Sequence, residues 1–359
     1  MYHLLRPRGL VPAVVLSLCG LWLGVVAAGT PSPVPKAELR FLNWSEYMDP
    51  ALLKEFEQRV GVKVTEVYFE SDDMRDDMLV ETDGKGYDVI LASGIALRPY
   101  QRRGWLARFG EAEVPNLKHV DRRWLDRFPE SRGYAAPFFW GTTGIGYRRD
   151  LVGEEIDSWM QLYRPAAGLR GRIYMNKDGR DVIGMALKAL GYSANSIDSR
   201  EVAEAEKLLL AQKPYVKSYG YPLLSAKSGL ATGEILAAMM FNGDVLMVQE
   251  HHPAITYVLP KEGGNIWVDY LAVGQASEHK ALAYQFIDFL NEPAIAARLA
   301  QFVYYATPNK AAEALLPEEF LGDPVIYPPP QVLKHSEVYT HLPPRAQKRR
   351  NGIFARLLQ

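Results

Sequence analysis

The stretch LRFLNWSEYMDPALLKEFEQRVGVKVTEVYF, residues 39–69, decides the fold class. Its first five residues, Leu-Arg-Phe-Leu-Asn, indicate a buried strand, and residues 62–69 alternate as a second strand. Between them, Asp49 and Pro50 begin a helix, apolar side chains recur at helical spacing, and Gly61 ends it. A strand, a helix and a strand in that order predict a parallel sheet covered by helices.

The same alternation continues along the rest of the chain. Ser71 begins a second helix and residues 87–92 form a third short buried strand. Further strands are predicted at 171–175, 254–259 and 266–273, and further helices at 181–190, 201–212, 284–290 and 293–302. This order predicts an α/β protein of two lobes, with the chain passing between them more than once. Ligands of open α/β sheets bind beyond the carboxyl ends of the strands.

The composition is that of an ordinary globular protein. Of 359 residues, 48% are hydrophobic and 23% charged, which excludes disordered, collagen-like and coiled-coil classes. The 41 Lys and Arg nearly balance the 42 Asp and Glu, so the net charge of −1 gives no sign of a nucleic-acid partner. The single cysteine, Cys19, excludes an intrachain disulfide.

The N-terminus carries a targeting pattern. Arg6 and Arg8 precede an uncharged apolar run, residues 10–28, which ends in small residues. This pattern predicts a cleaved secretory signal peptide, residues 1–28, and export to the periplasm. A retained membrane anchor is the alternative, because the apolar run is long. Lipid attachment at Cys19 is disfavoured, because Leu18 is larger than the residue that such processing requires.

Motifs of enzymes and cofactor sites are missing. The sequence has no Gly-x-Gly-x-x-Gly after a strand, no phosphate-binding loop and no Gly-x-Ser-x-Gly elbow. After cleavage no cysteine remains for thiol catalysis or zinc. The adjacent His251 and His252 would point apart in a regular element and cannot share one metal ion. We therefore expect no cofactor, no metal site and no enzymatic activity.

Aromatic residues are instead paired with carboxylates. Trp267 and Asp269 lie two apart in a predicted strand and so share a face, where an acid beside an indole ring suits an ammonium group. The alternative is that Trp267 belongs to the core and Asp269 forms a cap or salt bridge. Asp178 and Asp181 can share a helix face, although capping of a helix is the favoured interpretation for an Asp at such a place.

Two further places combine such residues. Phe241 and Asp244 flank a glycine, where a plain turn is the favoured interpretation without further context. Trp44, Ser45 and Tyr47 follow the first strand at its carboxyl end, where side chains line ligand sites. Packing of one of the two rings into the core is the competing interpretation.

The ordered set of these stretches resembles one family, the periplasmic polyamine-binding proteins of ABC importers. The resemblance covers residues 39 to about 327 and rests on the following stretches: LNWSEYMDP (42–50), GYDVILAS (86–93), PFFWGTTGIGY (137–147), DGRDVI (178–183), FNGD (241–244), PKEGGNIWVDYLAV (260–273) and YYATPNKAA (304–312). Each stretch is weak evidence alone, and their order makes the resemblance specific.

The resemblance implies a type II binding-protein fold whose two lobes, each built on a mainly parallel sheet, close over a putrescine- or spermidine-class ligand. It predicts lobes formed by residues 30–138 with 268–313, and by 139–267 with 314–359. The residues that match the family's polyamine-binding positions are Trp44, Ser45, Tyr47, Ser93, Asp178, Asp181, Phe241, Asp244, Trp267, Asp269 and Tyr305.

Two departures leave the identity of the polyamine open. Asp181 stands where the family usually has Glu, and Phe241 where it usually has Trp. Four acids would over-neutralise a diamine, and a buried acid without a partner is costly, which favours a longer amine or water around one acid. No arginine stands at the matched positions, whereas an α-carboxylate ligand would require one in the cleft.

The expected partners are the polyamine and an inner-membrane ABC permease, and we expect a monomer that binds no nucleic acid. A polyamine sensor that docks a membrane receptor is the main alternative. A binder of another linear cation, such as agmatine or cadaverine, also remains open. A secreted hydrolase with paired carboxylates would need two acids across one cleft at a defined separation.

Overall fold

Strands and helices alternate through residues 37–359, the part of the chain that the computed structural model describes. The predicted signal peptide lies outside the described residues. The strands are β1 (Glu38–Trp44), β2 (Lys63–Phe69), β3 (Val89–Ser93), β4 (Ala135–Arg148), β5 (Ile173–Met175), β6 (Val216–Tyr219), β7 (Ala237–Phe241), β8 (Ile255–Val258) and β9 (Ile266–Val273).

The helices cover the strands from outside. They are α1 (Pro50–Val60), α2 (Asp72–Glu81), α3 (Leu97–Arg102), α4 (Arg122–Leu125), α5 (Met160–Tyr163), α6 (Gly179–Ala189), α7 (Ser199–Gln212), α8 (Gly229–Thr232), α9 (Asn242–Gln249), α10 (Lys280–Leu290), α11 (Pro293–Val303), α12 (Lys310–Glu313), α13 (Glu318–Gly322) and α14 (Pro344–Leu358). None of the helices between residues 37 and 359 is long and apolar enough to span a bilayer.

The local signals at the start of the chain act as predicted. Asp49 Oδ1 accepts the Ala51 N–H at 2.8 Å, which caps α1, and Gly61 ends that helix in the left-handed region at φ +77°. Ser71 Oγ accepts the Met74 N–H at 3.1 Å and caps α2. These caps are local, so neighbouring residues alone are enough to specify them.

The strands form one sheet in the order β2-β1-β3-β9-β4-β7-β5-β6, and β8 pairs with β4. In the first lobe β1 pairs in parallel with β2 and β3, and in the second lobe β5 pairs in parallel with β6 and β7. The antiparallel strands β9 and β4 join these two parallel groups. The fold is therefore the expected two-lobed α/β arrangement, with antiparallel strands where the chain passes between lobes.

The long strand β4 belongs to both lobes and was not predicted as a strand. Residues 135–142 pair with β9, whereas residues 143–148 pair with β7 and β8. All its side chains are buried, so no alternation of polar and apolar residues marks it in the sequence. The predicted lobe boundaries at 138/139 and 267/268 fall inside β4 and β9. The described residues form one compact unit, so those boundaries stay a prediction.

Aromatic packing holds the helices of the first lobe on β1. The ring of Phe286 in α10 meets Phe41 of β1 at 5.4 Å and Phe56 of α1 at 4.9 Å, both edge to face. All three side chains are buried. Trp44, at the carboxyl end of β1, stands at the edge of this lobe that faces the second lobe.

Candidate functional site

A cavity lies where the carboxyl ends of the parallel strands of both lobes face each other. It measures about 920 Å³, including the part open to solvent. Residues at or after the ends of β1, β2 and β3 line it from the first lobe, and residues at or after the ends of β5, β6 and β7 line it from the second. Residues 265–269, around the start of β9, also line it, as do Phe128, Tyr305, Val338 and Tyr339. This is the place that the strand order predicts for a ligand.

Most of the predicted site residues line this cavity. They are Trp44, Tyr47, Ser93, Asp178, Asp181, Phe241, Trp267, Asp269 and Tyr305. Ser45 does not line it and is half-buried in the turn after β1. Asp244 does not line it either, but bonds to two tyrosines that do.

Aromatic rings from both lobes meet in the cavity. We use the term aromatic cage for Trp44, Tyr47, Tyr221, Trp267 and Tyr305. Trp44 of the first lobe stacks on Tyr221 of the second with ring centres 5.6 Å apart. Tyr305 meets Trp267 edge to face at 4.8 Å and Tyr47 at 5.6 Å. Such rings attract a cation and exclude water from methylene groups.

A glycine in β4 makes room for the indole of this cage. Gly141 pairs with Trp267 across the β4–β9 ladder. A Cβ atom at position 141 would lie 2.4 Å from Cζ2 of Trp267 and 2.3 Å from Oδ1 of Asn242. The ring therefore packs directly against the backbone of the strand that joins the lobes.

Asp269 is a buried carboxylate whose hydrogen bond comes from a phenol. The Tyr47 hydroxyl donates to Asp269 Oδ2 at 3.2 Å, and no Lys or Arg among residues 37–359 forms a salt bridge with it. Burial raises the pKa of Asp269 to about 7, with a further raising effect of nearby Asp72 and an opposing effect of Arg75. The cap and salt-bridge interpretations of Asp269 are wrong.

Asp244 has the same kind of environment at another point of the cage. Its carboxylate accepts hydrogen bonds from Tyr221 at 3.1 Å and from Tyr305. Burial raises the pKa of Asp244 to about 7 although both hydroxyls lower it. Within the described residues it has no salt-bridge partner. The plain turn predicted here is wrong, because residues 242–249 form α9 and place Asp244 in its first turn.

Asp178 and Asp181 are held by the protein itself. Asp178 Oδ1 accepts the N–H groups of Arg180 at 2.7 Å and Asp181 at 3.2 Å, so the predicted capping of α6 is confirmed. Asp181 accepts the Tyr339 hydroxyl at 2.7 Å and Asn176 Nδ2 at 2.9 Å, one on each oxygen. Burial and the neighbouring Asp178 raise the pKa of Asp181.

An ion cluster with members from both lobes lies in the same cavity. Asp72 accepts Arg75 Nη1 at 2.7 Å and Ser93 Oγ at 2.7 Å, and Arg180 Nη1 of the second lobe lies 3.6 Å from it. Burial alone would raise the pKa of Asp72, but Arg75 and Arg180 hold it below its usual value. The Ser93 hydroxyl therefore donates to a carboxylate that also lies beside two arginines.

The cavity contains residues that the sequence analysis did not select. Arg180 lines it, so an arginine stands in the cavity although none stands at the matched positions. Asp72 and Tyr221 follow the ends of β2 and β6, and this position after a strand is the signal that could have identified them as site residues. Tyr339 comes from the C-terminal segment, and no local pattern marks it. Between residues 37 and 359, no group of three or more His, Cys, Asp or Glu side chains is arranged to hold a metal ion.

The comparison with known families agrees with this architecture. The sequence profile of the bacterial extracellular solute-binding proteins matches residues 51–326, most of the chain. The chain belongs to this family. Proteins of the family are solute-binding proteins, so the cavity between the lobes stands where their ligand is expected.

Individual relatives extend the comparison. The chain is 31% identical to the spermidine/putrescine-binding periplasmic protein of Escherichia coli K12, over 83% of this chain and 85% of that protein. It is 29% identical to a norspermidine sensor of Vibrio cholerae, over 85% of this chain and 84% of that protein. The solved structure of the spermidine/putrescine ABC transporter substrate-binding protein PotD of Streptococcus pneumoniae superposes with a TM-score of 0.75 at 27% identity, covering 90% and 98% of the two chains.

Proposed function

We propose that this protein captures a linear polyamine between its lobes and delivers it to the permease of an ABC importer. The observation that carries the proposal is the pair of buried carboxylates, Asp244 and Asp269, which receive tyrosine hydroxyls and no basic side chain of the described residues. A buried carboxylate without a cation is costly, and an ammonium group supplies that cation.

The aromatic cage suits the rest of such a ligand. Its rings cover methylene groups, each of which contributes about 0.8 kcal/mol when buried. Phenol oxygens that donate to a carboxylate are polarised and accept well from an ammonium group. Closure of the two lobes about the strands that join them would bury the ligand, and no bond is made or broken.

Binding is tested by calorimetry with putrescine, cadaverine, spermidine and spermine. We expect at least one of them to bind with a Kd in the micromolar range or below, about −8 kcal/mol or stronger. Glucose serves as a neutral control that gives no heat. Absence of heat with all four amines would reject the polyamine proposal.

Affinity should fall when the solution is made acidic. The pKa values of Asp244 and Asp269 are about 7 before a cation binds, and the protonated acids do not attract a cation. Alkyl ammonium groups stay protonated, with pKa values of about 10 as in lysine. We therefore expect an affinity gain from pH 5.5 to pH 8 of roughly 30-fold for each acid.

The measurement is calorimetry at both pH values, in two buffers that differ in ionisation enthalpy. Cation binding should lower both acid pKa values and release protons near pH 7, so the observed heat should depend on the buffer. Equal affinities at pH 5.5 and pH 8 would show that these two acids do not hold the cation.

A sensory role is the second candidate. The relative from Vibrio cholerae named a norspermidine sensor favours it. The cavity is the same in either role, so the membrane partner decides. Affinity capture from solubilised membranes, with ligand added, should retain an ABC permease if the protein serves transport and a signalling receptor if it serves sensing.

We also propose export to the periplasm, a mature chain that begins after residue 28, and a monomeric state. The targeting pattern at Arg6, Arg8 and residues 10–28 supports the first two. N-terminal sequencing of the exported protein and its mass under native conditions test all three points.

A further inference from the structure

One salt bridge of the cavity crosses from the first lobe to the second. Asp72 stands at the start of α2 in the first lobe, and Arg180 stands in the first turn of α6 in the second. Arg180 Nη1 lies 3.6 Å from Asp72 Oδ2, and the two side chains are 24% and 15% exposed. Every other salt bridge among residues 37–359 joins two residues of one predicted lobe.

The helix that carries Arg180 offers its guanidinium no partner. The N-terminus of a helix carries partial positive charge, which disfavours a cation there. Arg200 stands at the same position of α7, and its Nε pairs with Glu204 of the same helix at 3.2 Å. The residue four positions after Arg180 is Gly184, which has no side chain to pair with. The guanidinium of Arg180 is therefore partnered across the cavity.

The two lobes would otherwise repel each other at this place. Burial and the charge of Asp178 raise the pKa of Asp73, in the first turn of α2, to about 6. Burial and the charge of Asp72 raise the pKa of Asp178, the cap of α6, against an opposing effect of Arg180. Carboxylates of both lobes thus approach one another, and like charges repel. Arg180 supplies the positive charge that offsets this repulsion.

We propose that Arg180 draws the two lobes together, so that closed molecules are populated before a ligand binds. Asp72 stays in place in either state, because Arg75 Nη1 and Ser93 Oγ of the same lobe each lie 2.7 Å from it. Opening of the lobes then breaks the contact with Arg180 and leaves the rest of the cluster intact. Arg180 is thus a positioning residue that acts on the ligand through closure. Its effect on affinity rests on the polyamine-binding function proposed above, whereas its effect on the unliganded protein does not.

The first test measures the lobes without ligand, by energy transfer between two fluorescent labels on single molecules. The only cysteine of the chain, Cys19, lies in the predicted signal peptide, so Lys54→Cys in α1 and Lys207→Cys in α7 place one label on each lobe. Both lysines are exposed. We expect a closed population in the unliganded protein, and Arg180→Gln should lower the ratio of closed to open molecules at least fivefold.

Two further variants show whether the charge of Arg180 is responsible. Arg180→Lys keeps the charge and should lower the ratio of closed to open molecules less than Arg180→Gln does. Arg200→Gln is the matched control, because Arg200 has the same position in its helix and the same kind of Asp cap, but a partner within that helix. It should leave the ratio unchanged.

Salt provides a test that needs no variant to fold. Raising the ionic strength from about 0.05 M to about 0.5 M should lower the ratio of closed to open molecules in the unsubstituted protein, because salt screens the attraction. In Arg180→Gln the same change should raise the ratio, since repulsion between carboxylates is what remains. An unliganded protein that is open at both ionic strengths would overturn the inference, and so would an Arg180→Gln variant with an unchanged ratio.

Calorimetry with putrescine, cadaverine and spermidine tests the effect on affinity. Arg180→Gln should weaken all three by one common factor of at least threefold, because the ligand then has to supply the energy of closure. Unequal changes, or tighter binding, would show that Arg180 acts on the ligand directly and would overturn the inference. No binding of any amine by the wild type would instead reject the proposed function, and the measurements without ligand would still decide the role of Arg180.

Discussion

Replacing Asp269 by asparagine should weaken polyamine binding by about 100-fold or more. Asparagine keeps the shape of the side chain and can still accept the Tyr47 hydroxyl, but it carries no charge. Removal of one partner from a buried, hydrogen-bonded charge pair costs about 2–5 kcal/mol. Calorimetry with the polyamine that the wild type binds most tightly measures the loss.

The same variant should be more stable than the wild type without ligand. Burial raises the pKa of Asp269 to about 7, above its unfolded value near 3.9, so folding disfavours the charged form. The ionisation of this group therefore lowers the free energy of unfolding as pH rises from about 4 through 7, by up to about 4 kcal/mol in all. The asparagine side chain does not ionise, so we expect the variant to have a Tm at pH 8 higher by about 3 °C or more, and little change at pH 4.

Asp157→Asn is the matched control for this pair of results. Asp157 is exposed and pairs with Lys261 outside the cavity, so both affinity and Tm should stay close to the wild type. An Asp269→Asn variant that binds polyamine as the wild type does would refute the role assigned to this carboxylate.

The second large effect is expected at Trp267. Trp267→Ala should weaken binding of every polyamine by about 100-fold, because the indole supplies a cation–π face worth about 2 kcal/mol and also covers methylene groups. The ring packs against Tyr305 at 4.8 Å and Phe241 at 5.8 Å, so its loss also loosens the cage. Calorimetry measures the affinity, and a melting curve of the same sample shows whether the variant is still folded.

A variant with a smaller ring separates the loss of the aromatic face from a change in folding. Trp267→Phe keeps an aromatic face and should lose about tenfold or less. Trp105→Phe, a buried tryptophan in the first lobe outside the cavity, should leave affinity unchanged. If Trp267→Ala and Trp267→Phe lose affinity equally, the ring face is not what holds the ligand.

The elements that follow from neighbouring residues were predictable. The caps at Asp49 and Ser71, the end of α1 at Gly61 and the strand from Ile266 depend on local hydrogen bonds and on periodicity. The resemblance then selected side chains of which all but Ser45 and Asp244 line one cavity. The strand β4 was not predicted because both its faces are buried, so polar and apolar residues do not alternate along it.

By itself, the sequence determined the α/β alternation, the caps and the aromatic and acidic side chains at the strand ends, because these depend on interactions within a few residues. Tertiary structure alone decided which partners the acids of the cavity meet. Asp181 is occupied by Tyr339, which lies 158 positions away, and Asp72 meets Arg180 across the lobes. Such pairings depend on how two lobes approach each other in space, and no local period or spacing in the chain carries that information.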